Sequence, residues 1–122
     1  MNFIDPVTID LVGRALSATS LRHSVHATNV VNVNVEGFKP SRVSFEQHLS
    51  EVRDRLGRGE TLTAADLRDV RARTEVVRDQ ERVELDAELA TLSSNATHHQ
   101  ALLRLLDRQL GLVHLAITGG RP

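Results

Sequence analysis

Six histidines are the side chains here best suited to chemistry near neutral pH. His23 and His26 stand three apart, so a helix would set them on one face. His98 and His99 are adjacent, and neighbours on a helix point about 100° apart. A metal centre needs three or four converging ligands. The chain has no His-Glu-x-x-His run, and no Glu-x-x-His motif of the kind that di-iron bundles use. The pattern therefore assigns no metal and no cofactor. It reads as polar residues placed in a helix seam or interface.

Other chemistries fare no better. Without cysteine there is no disulfide, no thiolate zinc ligand and no thiol nucleophile. The glycines are too scattered for a phosphate-cradling loop, and no serine sits in a nucleophile-elbow context. Glu84, Asp86 and Glu88 cluster where a helix would begin, and carboxylates there complement the positive end of the helix dipole. Arg68, Arg71, Arg78 and Arg82 alternate with Asp66, Asp69, Glu75 and Asp79. With a net charge of -1 this excludes a general pull toward nucleic acid or anionic lipid. No catalytic residue is assigned, and the chain reads as a non-enzyme.

The elements that carry these residues are more informative. Leu85, Leu89, Leu92, Ala96, His99, Leu103, Leu106, Leu110, Val113 and Ile117 follow one another in steps of four and three. That is the spacing of a helix with one apolar seam, a rod of roughly 50 Å. Gly119-Gly120 supplies the stop. Such a helix cannot bury its seam on itself and needs a partner. Asp5-Pro6 reads as a helix start. Ile9, Val12 and Leu16, with Leu11, Ala15, Ala18, Leu21 and Val25, make a wide apolar stripe on a first helix that ends near Asn32.

Between the helices the pattern changes. Asn29 to Val35 alternates polar and apolar residues, and Gly37 and Lys39-Pro40 extend the break, so an extended arm is expected there. Ser44 with Gln47 fits a capping box that restarts a helix, carried on by Phe45, Leu49, Val52 and Leu56 up to Gly57. Thr63 with Asp66 fits a second box, with Leu62 and Leu67 spaced as a hydrophobic staple. The segment from Glu46 to Glu88 is dense in both charge signs, as in a solvated helical face that an assembly could order. One domain is expected, divided as an N-terminal helix (1–32), an extended arm and charged, partly helical linker (33–82), and a C-terminal helix (83–122). The fold class is all-α, with the two long helices packed as a coiled-coil-like pair. The N-terminus has no signal-peptide pattern, and no stretch is apolar enough to span a membrane.

Several stretches carry a family resemblance. Ala27 to Lys39 resembles the A-x-N-[IV]-A-N-x-x-T-P-G-[YF]-K signature of bacterial flagellar rod and hook axial proteins. Asn29, Asn32, Gly37, Phe38 and Lys39 match it, while Val31, Val35 and Glu36 depart from it. Val83 to Leu89 is similar to the V-[DE]-L-D-x-E-M stretch of the proximal-rod type, the FlgB family. Asn95, Gln100, Ala101 and Leu102 match its N-x-x-x-Y-Q-A-L run, with His99 in place of the Tyr, and Ala116 to Arg121 resembles its ending.

The resemblance implies a structural subunit of the flagellar basal-body rod. Its terminal helices would stack helically with those of its neighbours across the periplasm. It implies synthesis in the cytoplasm and export by the flagellar type III apparatus without a cleaved signal peptide. It implies as partners other rod subunits, further copies of the same chain, and the basal-body base (the MS ring and its adaptor), with no nucleic acid and no membrane insertion. The expected assembly residues are Leu11, Leu16, Leu21 and Val25 on the first helix, and Leu85, Leu89, Leu92, Leu103, Leu106, Leu110, Val113 and Ile117 on the last. Asn29, Asn32 and Gly37 are expected to set the bend after the first helix. Two other readings stay open: a soluble coiled-coil adaptor or chaperone for one helical partner and, more distantly, a metal-loaded bundle enzyme.

Overall fold

The computed structural model describes residues 6–119. Helix α1 runs Pro6–Val31, strand β1 Ser41–Ser44, helix α2 Glu46–Gly57, a single 3-10 turn Ala64–Leu67, strand β2 Arg73–Val76, and helix α3 Leu85–Thr118. The two long helices lie where their apolar periods placed them. Pro6 opens α1, and Gly119, at φ 64°, closes α3 in the left-handed geometry that glycine adopts without strain. Asp5 and Gly120 lie outside the described residues.

The chain is mostly helical, but it is not all-α. β1 and β2 pair antiparallel, Ser41 opposite Val76 through Ser44 opposite Arg73. Ser44 is therefore the last residue of a strand and caps no helix. Its hydroxyl is directed at the Arg73 carbonyl, 3.5 Å away, and α2 has no side-chain cap. The Phe45 carbonyl instead accepts from the N–H groups of His48 and Leu49. The alternation from Asn29 to Val35 does not become a strand either. It is the last turn of α1 followed by successive turns up to Gly37, whose φ of 79° calls for glycine.

The middle of the chain packs. Phe45, Val52, Leu62, Leu67 and Val70 are buried together against Ala18 of α1, with Val7, Leu11 and Ala15 alongside. No residue of α3 belongs to this cluster. The Thr63–Asp66 capping box forms, with Asp66 Oδ2 accepting from the Thr63 N–H at 2.8 Å and from its hydroxyl at 3.1 Å. It caps a 3-10 turn of four residues rather than a longer helix. Arg14 joins lobe and helix by donating to the Val70 carbonyl at 3.1 Å. The Arg22 guanidinium reaches from α1 to Glu46 at the start of α2. Burial works against the Glu46 charge, yet the Arg22 hydrogen bond and local backbone N–H groups hold its carboxyl below the ordinary value.

Candidate functional site

α1 and α3 run antiparallel, and the layers between them recur every seven residues. His26 Nδ1 lies 2.6 Å from Glu88 Oε2. Seven residues earlier on α1 and seven later on α3, Asn95 Nδ2 donates to the Thr19 carbonyl at 2.8 Å. The Thr19 hydroxyl also lies 2.6 Å from His99 Nδ1. The same register brings Val12 level with Leu102. Val12, Thr19 and His26 are all buried on α1, and Glu88 and Asn95 are 8% and 7% exposed on α3. A seven-residue repeat keeps one face of a helix turned to its partner.

This closed face of α3 is one column away from the apolar seam read in the sequence. The sequence seam pairs the column Leu85, Leu92, His99, Leu106 and Val113 with the column Leu89, Ala96, Leu103, Leu110 and Ile117. The first column is half-buried from Leu92 onward, and its leading residue, Leu85, is exposed. The second is exposed throughout. The column that meets α1 holds Glu88, Asn95, Leu102 and Gln109. Helical geometry places Leu92, His99, Leu106 and Val113 between the two, about 40° from the closed column and about 60° from the open one. α3 thus carries a polar column turned inward, an apolar column turned outward, and a shared edge between them.

On α1, Leu11 belongs with the middle lobe, and Leu16, Leu21 and Val25 are half-buried. Asn29 is 1% exposed and fastens the returning chain. Its Nδ2 donates to the Ser41 carbonyl at 2.8 Å, and its Oδ1 accepts from the Ser41 N–H at 3.0 Å. Asn32 donates to the Thr28 carbonyl at 2.8 Å, Phe38 is half-buried, and Lys39 Nζ donates to the Arg78 carbonyl at 2.8 Å.

The histidines are dispersed. His23 and His99 line one cleft of about 330 Å³ between α1 and α3, with Thr19, Asn95 and Ala96. His98 lines another, beside Arg22 and Ser94. Among the described residues no three potential metal ligands cluster. Nor is any described helix long and apolar enough to cross a membrane. Hydropathy could not reveal Thr19, His26, Glu88 and Asn95, because they are polar. What does mark them is their seven-residue spacing.

No protein-family model matches the chain. It is 24% identical to "Flagellar basal body rod protein FlgB" of Bacillus subtilis (strain 168) over 123 residues, covering 93% of this chain and 95% of that one. It is 45% identical to the protein of the same name from Borrelia hermsii over 49 residues, 40% of this chain and 36% of that one. One likeness spans nearly the whole of both chains and the other is closer over a shorter stretch; the chain is similar in sequence to flagellar basal-body rod proteins FlgB.

Proposed function

We propose that this chain is a structural subunit of the bacterial flagellar basal-body rod, built into the proximal rod through its terminal helices. The observation that carries this reading is the full-length likeness to a FlgB rod protein. The apolar column left exposed along α3 supports it: Leu89, Leu103, Leu110 and Ile117 stand out from the helix along one line. Exposed leucines aligned over several turns favour association far more than scattered ones do. In the rod, α1 and α3 form a coiled-coil-like pair whose open side a neighbouring subunit covers. Contacts of this kind join unlike surfaces, so they need not close on themselves and can propagate a helix. Leu11, Leu16, Leu21 and Val25 belong to the α1 side of that packing, and Asn29, Asn32 and Gly37 set the bend. The chain itself performs no catalysis. Its partners are other basal-body components, namely neighbouring rod subunits and the base on which the rod stands. It reaches them through the flagellar export apparatus.

The test is deletion of the gene, scored for motility and for basal bodies by electron microscopy. Loss of the rod is expected. The intact chain should restore it, and Leu106→Asp, which puts a charge on the edge shared by both columns, should not. Normal basal bodies in the deletion strain would overturn the reading and favour a soluble helical adaptor.

A further inference from the structure

The face that α3 turns to α1 is more polar than the face it leaves open, the reverse of what stability alone would select. Apolar residues of similar volume in place of buried charged pairs are often neutral or stabilising. The side-chain amide oxygen of Asn95 (Oδ1) is buried without a partner, as is that of Gln109 (Oε1). Yet Glu88, Asn95 and His99 each meet a polar group of α1 in this register. His26 faces Glu88, and Thr19 faces both Asn95 and His99. A slip of one heptad toward the N-terminal end of α3 would put Thr19 level with Glu88 and Val12 level with Asn95. His26 would then lose its carboxylate, and His99 the Thr19 hydroxyl. An apolar column has no such preference, and leucine against leucine is tolerated at every heptad.

We infer that His26–Glu88 and Thr19–Asn95–His99 are pairing-specificity residues. They direct α3 to the α1 of its own chain, in one register, and so reserve the apolar column for neighbouring subunits. The inference rests on the rod-subunit reading for the role of the open column. The pairing rule itself concerns the isolated chain. α3 carries two sticky faces that share an edge, and a rod in which α1 could also dock on the apolar face would trap swapped subunits. Buried polar contacts that match at one offset oppose this, because a shifted register takes the carboxylate from His26 and the hydroxyl from His99.

The absence of cysteine allows a clean test with the purified full-length chain. Arg22 and Thr91 line one cleft, so Arg22→Cys/Thr91→Cys reports the native register. Arg22→Cys/Glu84→Cys reports a slip of seven residues. In the native background the first pair should oxidise within the monomer and the second should not. With Thr19→Val, His26→Leu, Glu88→Leu, Asn95→Leu and His99→Leu combined, helix content by circular dichroism should persist. The slipped cross-link should then rise to a yield comparable with the native one, and disulfide-linked dimers should appear. A folded variant that still gives only the native-register monomer product overturns the inference.

Should the five-fold variant not fold, His26→Glu sets two carboxylates against each other. It should suppress the native cross-link, and His26→Glu/Glu88→His should restore it. A native cross-link unaffected by His26→Glu, or not restored by the exchange, overturns the inference as well. Motility enters neither experiment, so failure here is distinguishable from failure of the rod assignment.

Discussion

Leu103→Asp separates the open column of α3 from the closed one. Leu103 is 43% exposed, and its neighbour Leu102 lies in the column that faces α1. Complete burial of a leucine is worth about 1.5–3 kcal/mol, so Leu103 has roughly 1 kcal/mol still to gain when a neighbouring surface covers it. In the isolated chain the substitution disturbs a half-exposed side chain and should cost about 1 kcal/mol or less. That corresponds to a melting point lower by only a few degrees. Under a neighbouring subunit the carboxylate forfeits the apolar gain and is also desolvated, a penalty of several kcal/mol. A combined loss of about 4 kcal/mol weakens each contact roughly a thousandfold. Leu102→Asp should do the opposite, breaking the pairing of α1 with α3 before assembly is reached. Thermal melts of the purified variants, read by circular dichroism, and complementation of the deletion strain, scored by electron microscopy, make the comparison. Normal rods from Leu103→Asp would show that the open column is not an assembly surface. Collapse of the isolated Leu103→Asp chain would show that the column is not open.

The middle lobe makes its own predictions. Leu67 is 0% exposed at the centre of the lobe, so Leu67→Ala should cost about 2–5 kcal/mol in denaturant unfolding. Asn29→Ala removes both hydrogen bonds to the Ser41 backbone and should cost about 2–4 kcal/mol by the same assay, since buried polar groups lose their partners. The Thr63 backbone N–H, the Arg55 guanidinium and the Thr63 hydroxyl together hold the Asp66 carboxyl below its ordinary value, against a smaller opposing effect of burial. A carboxyl depressed in the folded state stabilises at neutral pH, and that contribution is lost as pH falls through and below about 4. Melting temperature should therefore fall on acidification, and Asp66→Asn should be lower at neutral pH with a flatter acid limb.

Much of this architecture is written in residue spacing. The steps of four and three from Leu85 to Ile117 mark α3, and Gly119 ends it. Thr63 and Asp66 form the capping box that their separation suggests. Ser41–Ser44 and Arg73–Val76 escape the same logic. Four residues are too short for a clear alternation, and each strand exists because the other lies beside it. The face of α3 that meets α1 escapes for a different reason. An apolar period locates residues that need covering, and it cannot say whether the cover comes from the same chain. Here the chain covers Glu88 and Asn95, and the leucines of the open column, Leu89, Leu103 and Leu110, stay exposed.

The short sheet also has a topological consequence. With Ser41 opposite Val76, and the Val77 N–H donating to the Pro40 carbonyl at 2.9 Å, the chain enters and leaves the middle lobe through one narrow neck. Everything between Ser44 and Arg73 forms a branch beyond that neck, packed back against Ala18 of α1. At its far end the turn Gly57 to Glu60 is exposed, and Gly59 has a φ of 78°. Residues added at that turn lengthen the branch without altering the distance between the ends of α1 and α3 or the register of their layers. Length can therefore be added at that turn while the packing of the lobe on α1 and the pairing of α1 with α3 stay as they are.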